Sequence, residues 1–201
     1  MNNAAFLFVD NQVGLLNLVQ DTNPDSLKNT ILGLADTAKF FNSSVILSSS
    51  RADGPNGPLL PELMERFPDA PYIARPGQIN AWDDPDFVKA VKATGKTQLI
   101  ISGIVTDVCV TFLSLSAKAA GFDVFVVIDA SGTFNEAIRD ASWLRMQAAG
   151  IQLVNFFSVA CELARDWRID ITGLGNLFAE HIPTYKNIID AYAGAVASVS
   201  Q

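Results

Sequence analysis

Histidine is nearly absent from this 201-residue sequence, which contains one, His181. A metal centre built on several imidazoles is excluded, and a Cys–His dyad could use only that residue. Cysteine is almost as scarce. Cys109 and Cys161 lie far apart, with no third cysteine nearby, so neither a disulfide framework nor a structural zinc site has support. Positive charge is also short: 14 Lys and Arg face 21 Asp and Glu, a net charge of −7 that argues against nucleic acid and anionic membrane as partners. No apolar run approaches the roughly 20 residues of a membrane span. The start, Met1-Asn2-Asn3-Ala4-Ala5, lacks the basic opening of a secretion signal. No G-x-G-x-x-G follows a strand pattern and there is no Gly-Lys-Ser/Thr loop, so nucleotide binding is unsupported. No arginine closely follows Cys109, as a cysteine phosphatase would need; the first is Arg139. These absences predict a reduced, cytoplasmic protein without a metal or cofactor.

What remains is a well-buried globular chain, 49% hydrophobic and 17% charged. Ala4 to Val9 is a continuous apolar run, as expected of a central parallel strand, and ends abruptly in Asp10-Asn11-Gln12. Asn23-Pro24 opens a helix with Leu27, Ile31, Leu34, Ala38 and Phe41 at helical spacing. Val45–Leu47 predicts strand two, ending in Ser48-Ser49-Ser50. The loop from Arg51 to Pro61 holds two glycines and three prolines, and reads as a rigid turn. A short helix near Leu63 and a short strand at Tyr72–Ala74 follow, the strand running into Arg75. Asp84-Pro85 caps a helix that Gly95 stops. Leu99–Ile101 predicts strand four, and Thr106 to Ala120 one amphipathic helix. Strand five, Val124–Ile128, ends at Asp129. A helix from Asn135 to Ala149 and strand six, Ile151–Phe156, come next. Ser158 is expected to cap a last core helix, Val159 to Trp167.

Strand and helix alternate throughout. This predicts an α/β fold, a three-layer αβα sandwich around a six-stranded, doubly wound parallel sheet. From residue 171 the pattern changes to short apolar patches. Residues 1–170 therefore form the expected main domain, and 171–201 a C-terminal helical tail packing on that domain or on a neighbouring subunit.

In such sheets ligands sit beyond the carboxyl ends of the strands. That rim collects Asp10, Asn11 and Gln12, then Ser48–Arg51, Arg75, Thr106–Cys109, Asp129 and Ser131. Cys109, expected in the first turn of a helix after a strand, meets the positive end of a helix dipole, which favours thiolate. From position alone a cysteine in an apolar helix is more often a small core residue. Cys161 reads as core, and Asp129 as a turn cap.

Three segments carry a resemblance: Phe8-Val9-Asp10-Asn11-Gln12, Arg75-Pro76-Gly77-Gln78-Ile79-Asn80-Ala81-Trp82, and Ser102-Gly103-Ile104-Val105-Thr106-Asp107-Val108-Cys109-Val110. Their order and spacing resemble the isochorismatase-like (cysteine hydrolase) superfamily, in its YcaC-like branch. Asp129-Ala130-Ser131-Gly132-Thr133-Phe134 and the tail agree with that branch, so the resemblance covers nearly the whole chain. It implies a catalytic triad of Asp10 as base, Cys109 as nucleophile and Arg75 in the place of the family's lysine. It also implies a cis peptide before Thr106, with backbone donors around Val105, Thr106 and Cys109 forming an oxyanion hole. Gln12, Asn80 and Trp82 would line the substrate pocket, although Asn80 also reads as a turn residue and Trp82 as a buried aromatic. The nicotinamidase branch uses a metal held by an aspartate and two histidines, which a chain with one histidine cannot build.

An arginine that clamped Asp10 bidentately would lower the aspartate pKa and weaken it as a base, implying a slow or unusual hydrolase. The expected activity is cysteine-dependent hydrolysis of a small amide or carbamoyl C–N bond. A thiol-reactive redox protein and a catalytically idle, oligomeric binding protein are the alternatives. The expected partners are a small-molecule substrate and further copies of the chain. The expected assembly is a homo-oligomer, an octamer among the sizes considered.

Overall fold

The computed structural model describes residue 1 and residues 3–199. The last two residues of the expected tail, 200 and 201, lie outside the described residues. Six strands form one all-parallel sheet: β1 (Ala4–Val9), β2 (Ser44–Ser50), β3 (Tyr72–Arg75), β4 (Gln98–Gly103), β5 (Asp123–Val127) and β6 (Gln152–Val154). Their order is β3-β2-β1-β4-β5-β6. The chain winds outward from β1 in one direction and then returns to lay β4 on its other side. The direction of winding thus reverses between β1 and β4, and a crevice opens there at the carboxyl ends.

The six strands are joined by α1 (Pro24–Phe40), α2 (Pro61–Arg66), α3 (Pro85–Ala93), α4 (Thr111–Ala119) and α5 (Glu136–Ala148), with α6 (Phe156–Ala164) after β6. Alternation along β1 divides the core between the two sides of the sheet. Phe6 and Phe8 pack with Ile31 and Leu34 of α1 and Val159 of α6. Ala5, Leu7 and Val9 pack with Phe87 of α3, Leu113 of α4 and Met146 of α5. Both sides of each central strand are therefore buried, which explains the unbroken apolar runs. Full burial of a side chain such as Phe6 or Phe8 contributes on the order of 2–3 kcal/mol.

Local chemistry sets the helix starts. Asn23 caps α1 by accepting the Asp25 and Ser26 N–H groups at 2.9 and 3.0 Å, with Pro24 in the first turn. At α6 the cap is Asn155, not Ser158. The Asn155 carbonyl of the side chain accepts the Ser158 N–H at 2.7 Å, and the Ser158 hydroxyl accepts the Asn155 N–H at 3.2 Å. The pair forms a reciprocal capping box, so the helix begins earlier than the sequence pattern suggested and β6 ends sooner. It also stops earlier, at a left-handed Arg165, which leaves Trp167 in a separate short turn.

The tail is two helices, α7 (Ile171–His181) and α8 (Pro183–Val199). Leu174, Leu177 and Phe178 of α7 join the same core as Phe6 and Phe8. His181 fixes α7 to α1: its Nε2 lies 2.9 Å from Asp36 and its Nδ1 3.2 Å from the Asn29 oxygen, while the Asn29 amide donates to the His181 carbonyl at 2.8 Å. Arg66 holds the same Asp36 through Nε at 2.7 Å and Nη2 at 3.0 Å. The lone histidine is therefore a tether, not the partner of a cysteine. Asp36, Glu180 and His181 bring their ligand atoms within 4.8 Å of one another, but both Asp36 oxygens are already engaged by Arg66 and His181. Among the described residues, no helix is long and apolar enough to cross a membrane.

Candidate active site

Asp10 follows β1 directly. Its backbone is left-handed at φ 57°, and its N–H donates to the Ser48 carbonyl at 2.8 Å. The sharp turn keeps the carboxyl fully buried beneath the rim. Arg75, the last residue of β3, is also buried and forms an ion pair with Asp10 Oδ1. Its other two nitrogens are also engaged: Nε with the Ser48 hydroxyl at 3.0 Å, and Nη1 with the Gln78 and Ile79 carbonyls. The guanidinium is thus pinned so that it meets one carboxylate oxygen only. Asp10 Oδ2 is buried without a conventional hydrogen bond, and the Cys109 thiol sits beside the carboxyl.

This differs from the bidentate clamp expected from the residue types, and so does its effect. Burial raises the Asp10 carboxyl above its ordinary value, and the charge and hydrogen bond of Arg75 offset only part of the shift. The net direction is therefore upward, opposite to that expected of a clamp.

Cys109 lies in a single π-helical turn, Thr106–Val110, between β4 and α4. One straight helix was expected from Thr106 onward. Instead the Val110 N–H reaches back to the Val105 carbonyl at 3.3 Å, and the Thr111 hydroxyl donates to the Thr106 carbonyl at 2.6 Å. Wide turns of this kind are found frequently at functional sites. The thiol is not the preformed thiolate that a helix start would favour. Burial, then the charge and hydrogen bond of Asp10, push it well above the ordinary cysteine value; a backbone hydrogen bond from Val105 and the charge of Arg75 pull weakly the other way. Desolvation and a neighbouring carboxylate outweigh one amide and a cation already paired.

The cis peptide is present one bond earlier than expected, between Ile104 and Val105. The β4 ladder continues through Ile104, whose N–H donates to the Val9 carbonyl and which bridges to Gly132, so the chain turns directly after it. The Thr106 N–H donates to the Gly132 carbonyl at 3.0 Å. It is therefore engaged, and drops out of the expected oxyanion donors. Gly103 is required where β4 meets β1: a Cβ there would lie 2.2 Å from the Val9 carbonyl oxygen.

The three residues expected to line a pocket each make contacts within the fold. Gln12 is fully buried, its amide donating to the Gly57 carbonyl and its oxygen accepting the Ser50 N–H at 2.9 Å. Both ends are engaged, so it ties β1 and β2 to the 51–60 loop. Asn80 caps the turn Ala81–Asp83 through the Trp82 N–H at 3.0 Å, and its amide donates to the Ser116 hydroxyl of α4 at 3.0 Å. Trp82 packs edge-on against Phe122 at 5.7 Å and Phe87 at 6.5 Å. Asp129 accepts the Phe156 N–H at 3.0 Å, as a cap. The structure adds an observation at two of the rim residues. Both polar atoms of the Asn11 side chain and the Thr106 hydroxyl are buried without a hydrogen-bond partner. Asn11 was expected only as a rim residue and Thr106 only as a backbone donor, so neither side chain had an expected part. Buried orphans of this kind are uncommon in folded proteins.

A buried carboxyl beside a cysteine thiol, at the winding reversal of a parallel α/β sheet, defines the class: a cysteine-site α/β protein. The family follows from comparison. Residues 4–155 match the Isochorismatase domain model, and the chain belongs to that family. It is 63% identical over 191 residues to the probable hydrolase YcaC of Escherichia coli (strain K12), covering 95% of this chain and 92% of that protein. The crystal structure of the Escherichia coli YcaC gene product, described as an octameric hydrolase of unknown specificity, superposes with a TM-score of 0.95 at 63% identity, over 96% of this chain and 95% of that one. YcaC from Pseudomonas aeruginosa, solved with hexane-2,5-diol and covalent acrylamide, gives a TM-score of 0.94 at 66% identity, with the same coverage. The chain is thus an isochorismatase-like protein closely similar to YcaC hydrolases.

Proposed function

We propose that the protein hydrolyses a small amide, carbamoyl or related C–N bond through a covalent Cys109 thioester. The observation that carries this reading is the open Oδ2 of a buried, more basic Asp10 beside a Cys109 held as a neutral thiol. Asp10 takes the thiol proton as the sulfur attacks the carbonyl carbon, forming the C–S bond and an oxyanion. The backbone amide of Cys109 holds that oxyanion in a dry site, joined by the Val105 N–H as the sulfur it contacts moves to the carbon. The proton passes from Asp10 to the nitrogen as the C–N bond breaks and the amine leaves. Water then attacks the thioester, with Asp10 again accepting a proton, and the thiol is regenerated with release of the acid. Arg75 keeps the pair's charge balanced without closing Oδ2.

The redox alternative needs a thiol of lowered pKa, whereas burial and Asp10 act in the opposite direction. We further propose that residues 1–170 form the hydrolase domain and that the 171–201 extension helps to build a homo-oligomer, as the Escherichia coli relative is octameric. Ile188 and Tyr192, one turn apart on α8, are exposed and would be covered by such packing. Two unpaired thiols suit the reducing interior of a cell.

The test uses acrylamide, a thiol-reactive electrophile, followed by peptide mass spectrometry and a panel of small amides. An adduct on Cys109 in preference to Cys161, with turnover lost in Cys109→Ser, supports the reading. Turnover that survives Cys109→Ser removes it.

A further inference from the structure

The turn that carries Cys109 is held from outside by the segment that follows β5. Ser131 accepts the Gly103 N–H at 3.3 Å, at the end of β4. The Gly132 carbonyl accepts the Thr106 N–H at 3.0 Å. The Thr133 hydroxyl donates to Asp107 Oδ1 at 2.6 Å, a short, charge-assisted bond. Three consecutive residues thus grip three points that lead into the π turn.

The segment is itself fixed. The Thr133 N–H donates to Asp21 Oδ1 at 2.8 Å, and its carbonyl accepts the Gln20 and Asp21 N–H groups at 2.9 and 3.2 Å. Gly132 is wedged so tightly that a Cβ would lie 2.7 Å from Leu27 and 2.9 Å from Val19. Thr133 is fully buried. Asp107 lies two residues from the nucleophile, and its recorded side-chain bond goes to Thr133. A wide turn is less regular than an α-helix, and small errors in the position of a nucleophile are expensive. A brace on its second residue fixes the direction in which its fourth residue, Cys109, presents the sulfur.

We propose that Thr133 is a positioning residue for Cys109, acting through Asp107. This rests on the reading of Cys109 as nucleophile and Asp10 as base. The hydroxyl of Thr133 touches neither residue. Its work is to hold the Thr106–Val110 turn so that the thiol lies against the open oxygen of Asp10.

The test is the rate of Cys109 alkylation by iodoacetamide across pH in the full chain, followed by mass spectrometry, with melting temperature measured in parallel. Thr133→Val is expected to slow alkylation on the order of tenfold and to change its pH profile, because the base no longer faces the sulfur squarely. Thr133→Ser, which keeps the hydroxyl, should restore both. Asp107→Ala should reproduce the Thr133→Val effect, and the double variant should be no slower than either single one, as members of one linkage behave. If Thr133→Val does not fold, Asp107→Ala against Thr133→Ser still decides the matter. A lowered melting temperature with a wild-type alkylation profile overturns the proposal. Asp10→Asn is the control: a profile unchanged by that substitution removes the underlying base assignment, whereas a profile moved by Asp10→Asn but not by Thr133→Val or Asp107→Ala removes the brace alone.

Discussion

Asp10 meets Arg75 through one oxygen; Asp36 meets Arg66 through both. The residue types are the same and the results are opposite. At Asp10, burial dominates and one oxygen has no hydrogen-bond partner, so the carboxyl is raised, as the proposed role of base requires. At Asp36, burial alone would raise the carboxyl, but hydrogen bonds and charges from His181 and Arg66 overcome it and bring the value down to about 2. Asp36 is also nearer to solvent, with its side chain 20% exposed against none for Asp10. The number of donors and the depth of burial decide which pair can react and which can only hold helices together.

Asp10→Asn gives the largest expected break in this comparison. Loss of the base should slow turnover of an accepted amide about 10²- to 10⁴-fold, while Asp36→Asn leaves the rate near wild type. Equal losses in the two variants would end the distinction. Stability should rank the pairs in the same order. Arg75→Met strands a buried carboxylate and should cost about 3–5 kcal/mol in urea unfolding. Arg66→Met leaves Asp36 its histidine and solvent, and should cost ~1 kcal/mol. The reverse ranking would mean that Asp10 is not charged in the folded protein.

The smallest expected effect is on acid stability. Because Asp36 titrates lower when folded than its ordinary 3.8, its contribution is complete above about pH 4 and is lost as pH falls toward 2. The loss should amount to about 2 kcal/mol and be concentrated in α7, read by hydrogen exchange. Asp36→Asn should flatten that part of the pH curve; a slope equal to wild type would place the acid-labile contact elsewhere.

The sheet was legible in the sequence because both sides of β1 and β4 are buried, leaving apolar runs that only central parallel strands need. That Asp10, Arg75 and Cys109 share one rim was legible as well, since a strand end is where polarity returns abruptly, as at Asp10; only the resemblance set these three apart from the other rim residues. What the sequence could not express was geometry that depends on distant partners. Arg75 looked like a bidentate clamp because a residue type does not reveal that Ser48, Gln78 and Ile79 pin its other nitrogens. Cys109 looked like an activated thiol because periodicity cannot separate a π turn from the start of an α-helix. Gln12, Asn80 and Trp82 were located correctly along the chain, but their hydrogen bonds and ring contacts bind them to the scaffold. Thr133 gave no signal by itself, since its meaning lies in Asp107 and Asp21.

The winding reversal between β1 and β4 also has a consequence in time. Asp10 and Arg75 are 65 residues apart in the chain, yet both belong to the half that winds outward from β1, while Cys109 belongs to the half that returns. A folding chain can therefore assemble the acid–arginine pair before Cys109 lies beside it. The thiol meets Asp10 only when β4 settles against β1, a non-local step of the slower kind. Until then Cys109 is expected to react as an ordinary solvated thiol, so a change in its alkylation rate during refolding would mark the joining of the two halves.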